Sequence, residues 1–265
     1  MRWVRFRRGD VIAIGTLADG AITVHDGDMF NAPQPTGETI SLDEVELLTP
    51  TQPSKMIGLF NNFVAAAAKN EWAHPTEALW FIKPSSCLLR PGGTIEPPSS
   101  YEGRVFFEGE LGIVIGAEAT NVALADVDRF VFGYTCVNDV TALGLLTSDA
   151  SFAQWNRAKS LNTFGPFGPT VVTGLDPATL TIRTVVDGRE RQNYPVSDMI
   201  FSPAELVHRI SQDMTLYPGD VIACGTSIGA MPMRLGNVVE VTIEGIGTLT
   251  NTYGVRPAVN GTPDN

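Results

Sequence analysis

The chain has 265 residues and a formal net charge of −11, from 29 acidic against 18 basic side chains, with 43% hydrophobic residues. That length and apolar content allow one sizeable domain with a small appendage, and the acidity argues against nucleic acid or anionic membrane as a partner. No apolar run approaches the roughly eighteen residues of a membrane span, and the start, Met1-Arg2-Trp3-Val4-Arg5, lacks the apolar block of a secretory signal, so a soluble cytoplasmic protein is expected.

In chain order, residues 1–53 read as short β runs broken by Ala18-Asp19-Gly20, His25-Asp26-Gly27-Asp28 and Asn31-Ala32-Pro33-Gln34-Pro35, a small antiparallel N-terminal domain. Arg2, Arg5, Arg7 and Arg8 alternate with Trp3, Val4 and Phe6 and suit a solvated strand face better than a phosphate patch. After the Thr49-Pro50-Thr51-Gln52-Pro53 linker comes a strand around Met56-Ile57-Gly58-Leu59. The run Val64-Ala65-Ala66-Ala67-Ala68-Lys69 follows as a short helix that needs packing to persist, and Leu79-Trp80-Phe81-Ile82-Lys83-Pro84 is a strand closed by proline.

From 105 to 255 the pattern is mostly strands, with Asp187-Gly188 marking a hairpin. One helix is well signposted: Ser202 as N-cap, Pro203 at the first helical position and Glu205 form a capping box, Leu206, Val207 and Ile210 give the apolar stripe, and the end falls near Asp213. Residues 256–265 are polar and read as a frayed tail. Cys87, Cys136 and Cys224 form no CxxC pair, and the last two sit in apolar runs as small buried hydrophobes. The chain lacks GxGxxG, GxxxxGK[ST] and GxSxG, which removes the usual nucleotide and serine-hydrolase readings.

The informative stretch is Phe107-Glu108-Gly109-Glu110, leading into Leu111-Gly112-Ile113-Val114-Ile115. In a strand, residues i and i+2 share a face, so two carboxylates would meet at one site beside an apolar core. A sheet edge with two solvated glutamates is one outcome; a hard divalent cation between them is the other, because unpaired carboxylates repel and lose solvation. Asp139, ending the apolar run Phe130 to Val137, is a candidate third oxygen ligand.

These residues carry a family resemblance. The set Glu108 to Gly116, Val131 to Val140, Lys159 with Thr163-Phe164-Gly165-Pro166-Phe167-Gly168-Pro169, and Pro218-Gly219-Asp220-Val221-Ile222-Ala223-Cys224-Gly225-Thr226 resembles the fumarylacetoacetate hydrolase superfamily, over about residues 54–251. The resemblance implies an α+β, β-rich fold, a mixed β-roll or β-sandwich at 54–255 with the small β appendage at 1–53, assembled as a homodimer. It further implies Mg2+ or Mn2+ held by Glu108, Glu110 and Asp139, with Lys159 and Thr226 as catalytic residues and a small 2-oxo or 1,3-dicarbonyl acid as substrate. Gly225, Lys83 and His74 complete the expected site as substrate-binding residues.

One departure matters most. Many relatives carry a histidine and a glutamate on a short lid helix that activate water, and the matching positions here are Val64 or Ala66. Losing a general base costs on the order of 100- to 10,000-fold in rate, so hydrolysis by that route is disfavoured. The expected function is therefore an Mg-dependent enzyme that acts on a C–C bond of such an acid through a metal-bound enolate, by decarboxylation, isomerisation or related lyase chemistry. The alternatives are a C–C hydrolase using His74 or metal-bound water as base, and a metal-binding homologue without catalysis. Leu143-Gly144 and Thr226-Ser227 also differ from the common Arg-Asp and Thr-Pro, which changes the pocket wall.

Overall fold

β-Branched and aromatic residues dominate the middle of the chain, and in the computed structural model, which describes residues 1–255, they pair into three sheets. The largest has twelve strands. Its main path runs Gln34–Ser41, Ala21–Asp26, Val11–Ala18, Arg2–Arg8, Gly165–Val172, Val131–Asn138, Gly109–Ile115, Val221–Ala223, Met56–Phe60 and Leu79–Lys83. Most neighbours are antiparallel, but Val221–Ala223 lies parallel to Met56–Phe60, so the sheet is mixed. A five-stranded sheet (Arg189–Pro195, Thr181–Val186, Val238–Ile243, Gly247–Tyr253, Thr94–Ile95) and a three-stranded one (Thr141–Ala142, Val105–Phe107, Met231–Pro232) complete the β-rich fold.

Alternation along Gly109–Ile115 places the core. Leu111, Ile113 and Ile115 pack in one cluster with Ile182, Val241 and Leu249 of the five-stranded sheet. Val114 faces the other way, into a second cluster with Trp3, Met56 and Phe167. Every residue of this strand is buried, as a central strand covered on both faces must be. The first strand, Arg2–Arg8, pairs with Gly165–Val172, so the N-terminal strands extend the main sheet. Its arginines stay exposed or half-buried, with Arg7 paired to Glu46 and Arg8 to Glu38 and Glu44.

The expected helices form where the sequence placed them. Val64–Lys69 is one; its first turn is held by Asp198, whose carboxylate accepts the Ala65 N–H at 3.1 Å. Pro203–Asp213 is the other. Its capping box is complete: Ser202 Oγ accepts the Glu205 N–H, and Glu205 Oε2 accepts the Ser202 N–H at 2.8 Å. All three cysteines are free and buried. Among the described residues no helix is long and apolar enough to cross a membrane. The frayed tail expected at 256–265 lies outside the described residues.

The strand read as continuous from Phe107 is broken at Glu108. Val105–Phe107 belongs to the three-stranded sheet and Gly109–Ile115 to the main one. The crossover needs a glycine at 109, because a Cβ there would stand 2.1 Å from Thr184 Oγ1. Gly109→Ala is therefore expected to destabilise the fold by roughly 1–3 kcal/mol through overpacking, read by urea denaturation. Thr184→Ala in the same background should recover part of the loss. An unchanged midpoint for the single variant would show that the strand can shift to make room.

Candidate metal centre and cavity

The break at Glu108 turns its side chain toward the end of the neighbouring strand. Asn138 Oδ1 accepts the Glu108 N–H at 3.0 Å, and the Asp139 N–H donates to the Glu108 carbonyl at 2.8 Å. These bonds seat Asp139 beside the acidic stretch. One oxygen each from Glu108, Glu110 and Asp139 lie within 4.8 Å of one another. Glu110 and Asp139 are fully buried, and the Glu108 side chain keeps 17% of its surface.

Two lysines balance part of this charge. Lys159, at the end of the short helix Trp155–Lys159, places its Nζ 2.5 Å from Glu108 Oε2 and 2.6 Å from Asp139 Oδ2. Lys83 Nζ stands 2.7 Å from Asp139 Oδ1 as an ion pair without hydrogen-bond alignment, and donates to the Lys159 carbonyl instead. Three carboxylates against two ammonium groups leave one net negative charge in a buried space. Glu110 Oε2 accepts the Gly225 N–H at 2.8 Å, while Glu110 Oε1 is buried without any partner. Gly225 sits at φ +92°, a backbone conformation that suits glycine, and this is what aims its N–H at Glu110.

A hard divalent cation fits this donor set: three carboxylates converge, one oxygen has no other partner, and the residual charge is negative. The electrostatics agree. Burial, then the Asp139 charge, pushes Glu110 well above the usual carboxylate range. Burial also raises Glu108, against the pull of Lys159. Asp139 moves down, because Lys159 and Lys83 outweigh the cost of burying it. Burial alone would lower Lys159, but the three carboxylates reverse that and keep it charged.

A pH dependence follows. Raised carboxylates take up protons more readily than ordinary ones, and those protons compete with a cation. Mn2+ affinity should therefore rise with pH until it passes the raised values, with proton release on binding. Titration calorimetry in two buffers of different ionisation enthalpy measures this directly. Equal heats in both buffers, with an affinity that ignores pH, would show that no protonated ligand is involved.

Above the carboxylates lies a cavity of about 370 Å3, lined by Glu108, Thr141, Lys159 and Thr226 at its polar end. Thr141 Oγ1 is 3.0 Å from Glu108 Oε1. Thr226 Oγ1 donates to the Gly109 carbonyl at 3.0 Å and accepts from Gln192 Nε2 at 2.8 Å. Tyr194 also donates to the Gly109 carbonyl. Gln192 Oε1 accepts the Gly109 N–H at 3.0 Å, so one glutamine fixes both the acidic stretch and the threonine.

The expected substrate-binding residues divide. Gly225 serves the site through Glu110. Lys83 is fully buried, is absent from the cavity lining, and stands as a counter-ion to Asp139. His74 is exposed and stands outside the cavity lining. Asn61 Nδ2 holds the Ala73 carbonyl at 2.9 Å, and the loop turns Trp72, not His74, onto Phe60. The helix Val64–Lys69 presents Ala66 and Lys69 to the cavity, so the position expected of a base is an alanine methyl.

Gln192, Tyr194 and Thr141 had no signal in the sequence. Gln192 and Tyr194 alternate on the Arg189–Pro195 strand, and their inward face is set only by the pairing of that hairpin with Val238–Ile243. Asn138, adjacent to Asp139, could have been suspected as a strand-end polar residue that must find a partner.

Residues 55–253 match the family described as fumarylacetoacetate (FAA) hydrolase C-terminal. The chain belongs to the fumarylacetoacetate hydrolase superfamily. Residues 1–50 match a second description, Rv2993c-like N-terminal. Within the superfamily, the chain is similar to oxaloacetate tautomerase YisK of Bacillus subtilis, 36% identical over 228 residues, covering 81% of this chain and 75% of that protein. It is also similar to the crystal structure of 5-carboxymethyl-2-hydroxymuconate delta-isomerase from Mycobacterium smegmatis, at a TM-score of 0.89 and 37% identity, covering 97% of this chain and all of that one. A maleylpyruvate hydrolase from Sphingobium, solved with manganese(II) and pyruvate, is similar at a TM-score of 0.78 and 26% identity, over 96% and 99% of the two chains.

Proposed function

We propose that this protein is a divalent-metal-dependent enzyme that shifts protons or cleaves a C–C bond next to the oxo group of a 2-oxo or 1,3-dicarbonyl acid, by tautomerisation, isomerisation or decarboxylation. The observation that carries the reading is a complete carboxylate and lysine centre opening into a cavity that, among the described residues, is lined by no histidine and no carboxylate besides Glu108. Glu108, Glu110 and Asp139 would hold Mg2+ or Mn2+, which when bound supplies a Lewis acid for the oxo group. The Lys159 ammonium, kept charged by its neighbours, stands where an oxygen gains negative charge and stabilises it by a charge-assisted hydrogen bond. Thr226 closes the polar end, its hydroxyl fixed by Gln192 and Gly109. Water attack has no side-chain base of its own here, which favours reactions that need an electron sink alone. Similarity to a tautomerase and an isomerase supports the same reading.

The test incubates the purified protein and Mn2+ with oxaloacetate and an acylpyruvate. Enol absorbance, CO2 and carboxylic acid release are followed together, with Glu108→Ala as control. Enol loss or CO2 release well above the control is expected. Acid release as the dominant product would replace the reading with C–C hydrolysis, and a wild type equal to its control across the panel would end it.

A further inference from the structure

Apart from Lys69, the charged groups of the cavity gather at one end, with Asn61, Asn70 and Ser227 as further polar residues of its lining. From Lys159 outward runs a ladder of rings contributed by distant segments, of which Phe60, Trp72 and Trp155 line the cavity and the buried Phe81 does not. Lys159 Nζ lies 5.2 Å from the centre of the Phe81 ring, and Phe81 stacks on Trp155 at 5.8 Å and 16°. Trp155 meets Phe60 at 4.6 Å, and Phe60 meets Trp72 at 4.9 Å. Burial falls along this ladder: Phe81 is 5% exposed, Phe60 and Trp155 are half-buried, and Trp72 is 43% exposed. Leu143, Leu146 and Ile228 also line the cavity, and Leu143 and Ile228 are large apolar side chains left exposed. Among the described residues no arginine lines it, and its one lysine besides Lys159 is the solvated Lys69 on the last turn of the Val64–Lys69 helix.

Resting on the function proposed above, we infer that the outer half of the cavity is a subsite for an apolar, planar tail, and that Phe60, Trp72 and Trp155 determine specificity. The substrate class is then a 2-oxo acid carrying an aryl or conjugated substituent, in preference to a short diacid. The physical reason is desolvation. A second carboxylate placed among these rings would lose its water and gain the screened charge of Lys69, since the side-chain amide N–H groups of Asn61 and Asn70 already serve the Ala73 and Ala66 carbonyls, whereas an apolar tail gains by leaving water and a planar one gains again by stacking. Oxaloacetate would reach Lys159 and Thr226 but leave the ring wall without a partner, and the cavity is far larger than that acid needs.

Calorimetric titration of phenylpyruvate and of pyruvate into the Mn2+-loaded protein tests this, since the two share the 2-oxo acid head and differ in the tail. Phenylpyruvate should bind at least about tenfold more tightly, the scale on which apolar pockets discriminate. Trp155→Ala and, at the exposed end of the ladder, Trp72→Ala should both shrink that ratio. Trp72→Ala keeps the test decisive if Trp155→Ala fails to fold. A parallel comparison of keto–enol turnover of phenylpyruvate and oxaloacetate tests the preference over a short diacid kinetically. Equal affinities, or a preference for oxaloacetate that both variants leave unmoved, would overturn the subsite while leaving the proposed function in place. No binding and no turnover of any of these acids would remove both.

Discussion

Glu110→Gln is expected to lose at least about a hundredfold in Mn2+ affinity, with activity falling alongside, while the metal-free variant melts at or above the wild-type temperature. Changing groups that merely orient a metal's ligands costs ten- to a hundredfold, so removing a ligand charge sets that as a floor. The unusual half of the expectation is the stability. Glu110 is fully buried and its carboxylate is pushed up first by burial and next by Asp139, so the charge is a burden on the metal-free fold. Glutamine removes the charge, keeps an oxygen for the Gly225 N–H, and has nearly the same shape. Thermal melts with and without Mn2+ separate the two effects. Wild type should gain roughly 2.7 kcal/mol at a metal concentration a hundred times its dissociation constant, and the variant should gain almost nothing. A variant that responds to Mn2+ as wild type does would show that Glu110 is not a ligand. A variant that melts far lower in the absence of metal would show instead that the carboxylate is structural.

The parts of this protein that could be read from its sequence are those fixed by local chemistry. The capping box at Ser202 and Glu205 placed a helix to the residue, because both hydrogen bonds are made within three positions. The Asp187-Gly188 turn placed the hairpin between Thr181–Val186 and Arg189–Pro195. The carboxylates were legible because Glu108-Gly109-Glu110 and the segment around Asp139 match a recognisable motif, and the structure brings them within ligand distance. What escaped depends on distant segments meeting. The need for glycine just after the break at Glu108 comes from Thr184, seventy-five positions beyond Gly109, whose hydroxyl leaves no room for a Cβ. His74 looked close to the site along the chain, but the loop after the helix, held by backbone bonds from Glu71 and Trp72 and by Asn61 on the Ala73 carbonyl, sets Trp72 against Phe60 and leaves His74 exposed. The ring ladder draws on residues 60, 72, 81 and 155, and no local pattern announces such a juxtaposition.

Lys83→Met is expected to destabilise the fold by about 3 kcal/mol, the largest stability effect of any single change in the polar centre. At the end of a strand and before a proline, Lys83 has the sequence context of a surface lysine, yet it is fully buried and paired with an equally buried Asp139. Methionine matches its stem but leaves Asp139 with Lys159 as its sole cation and the Lys159 carbonyl without its donor. Breaking a buried pair from one side typically costs 3–5 kcal/mol, because the remaining charge is stranded; Lys159 keeps the effect at the lower end. The sign with pH is fixed by Asp139. Its folded-state value is lowered from the ordinary 3.8, so its pairing stabilises the protein above that value and the contribution is lost as pH falls through the lower, folded one. The gap between wild type and Lys83→Met should thus be full near neutrality and close on acidification below the ordinary aspartate range. Adding Asp139→Asn to Lys83→Met should restore much of the stability, since an amide can be buried without a counter-ion. Urea denaturation of the two single variants and the double variant at neutral and acidic pH measures all of this. A Lys83→Met protein with unchanged stability and a raised KM would instead support the substrate-binding role expected for Lys83.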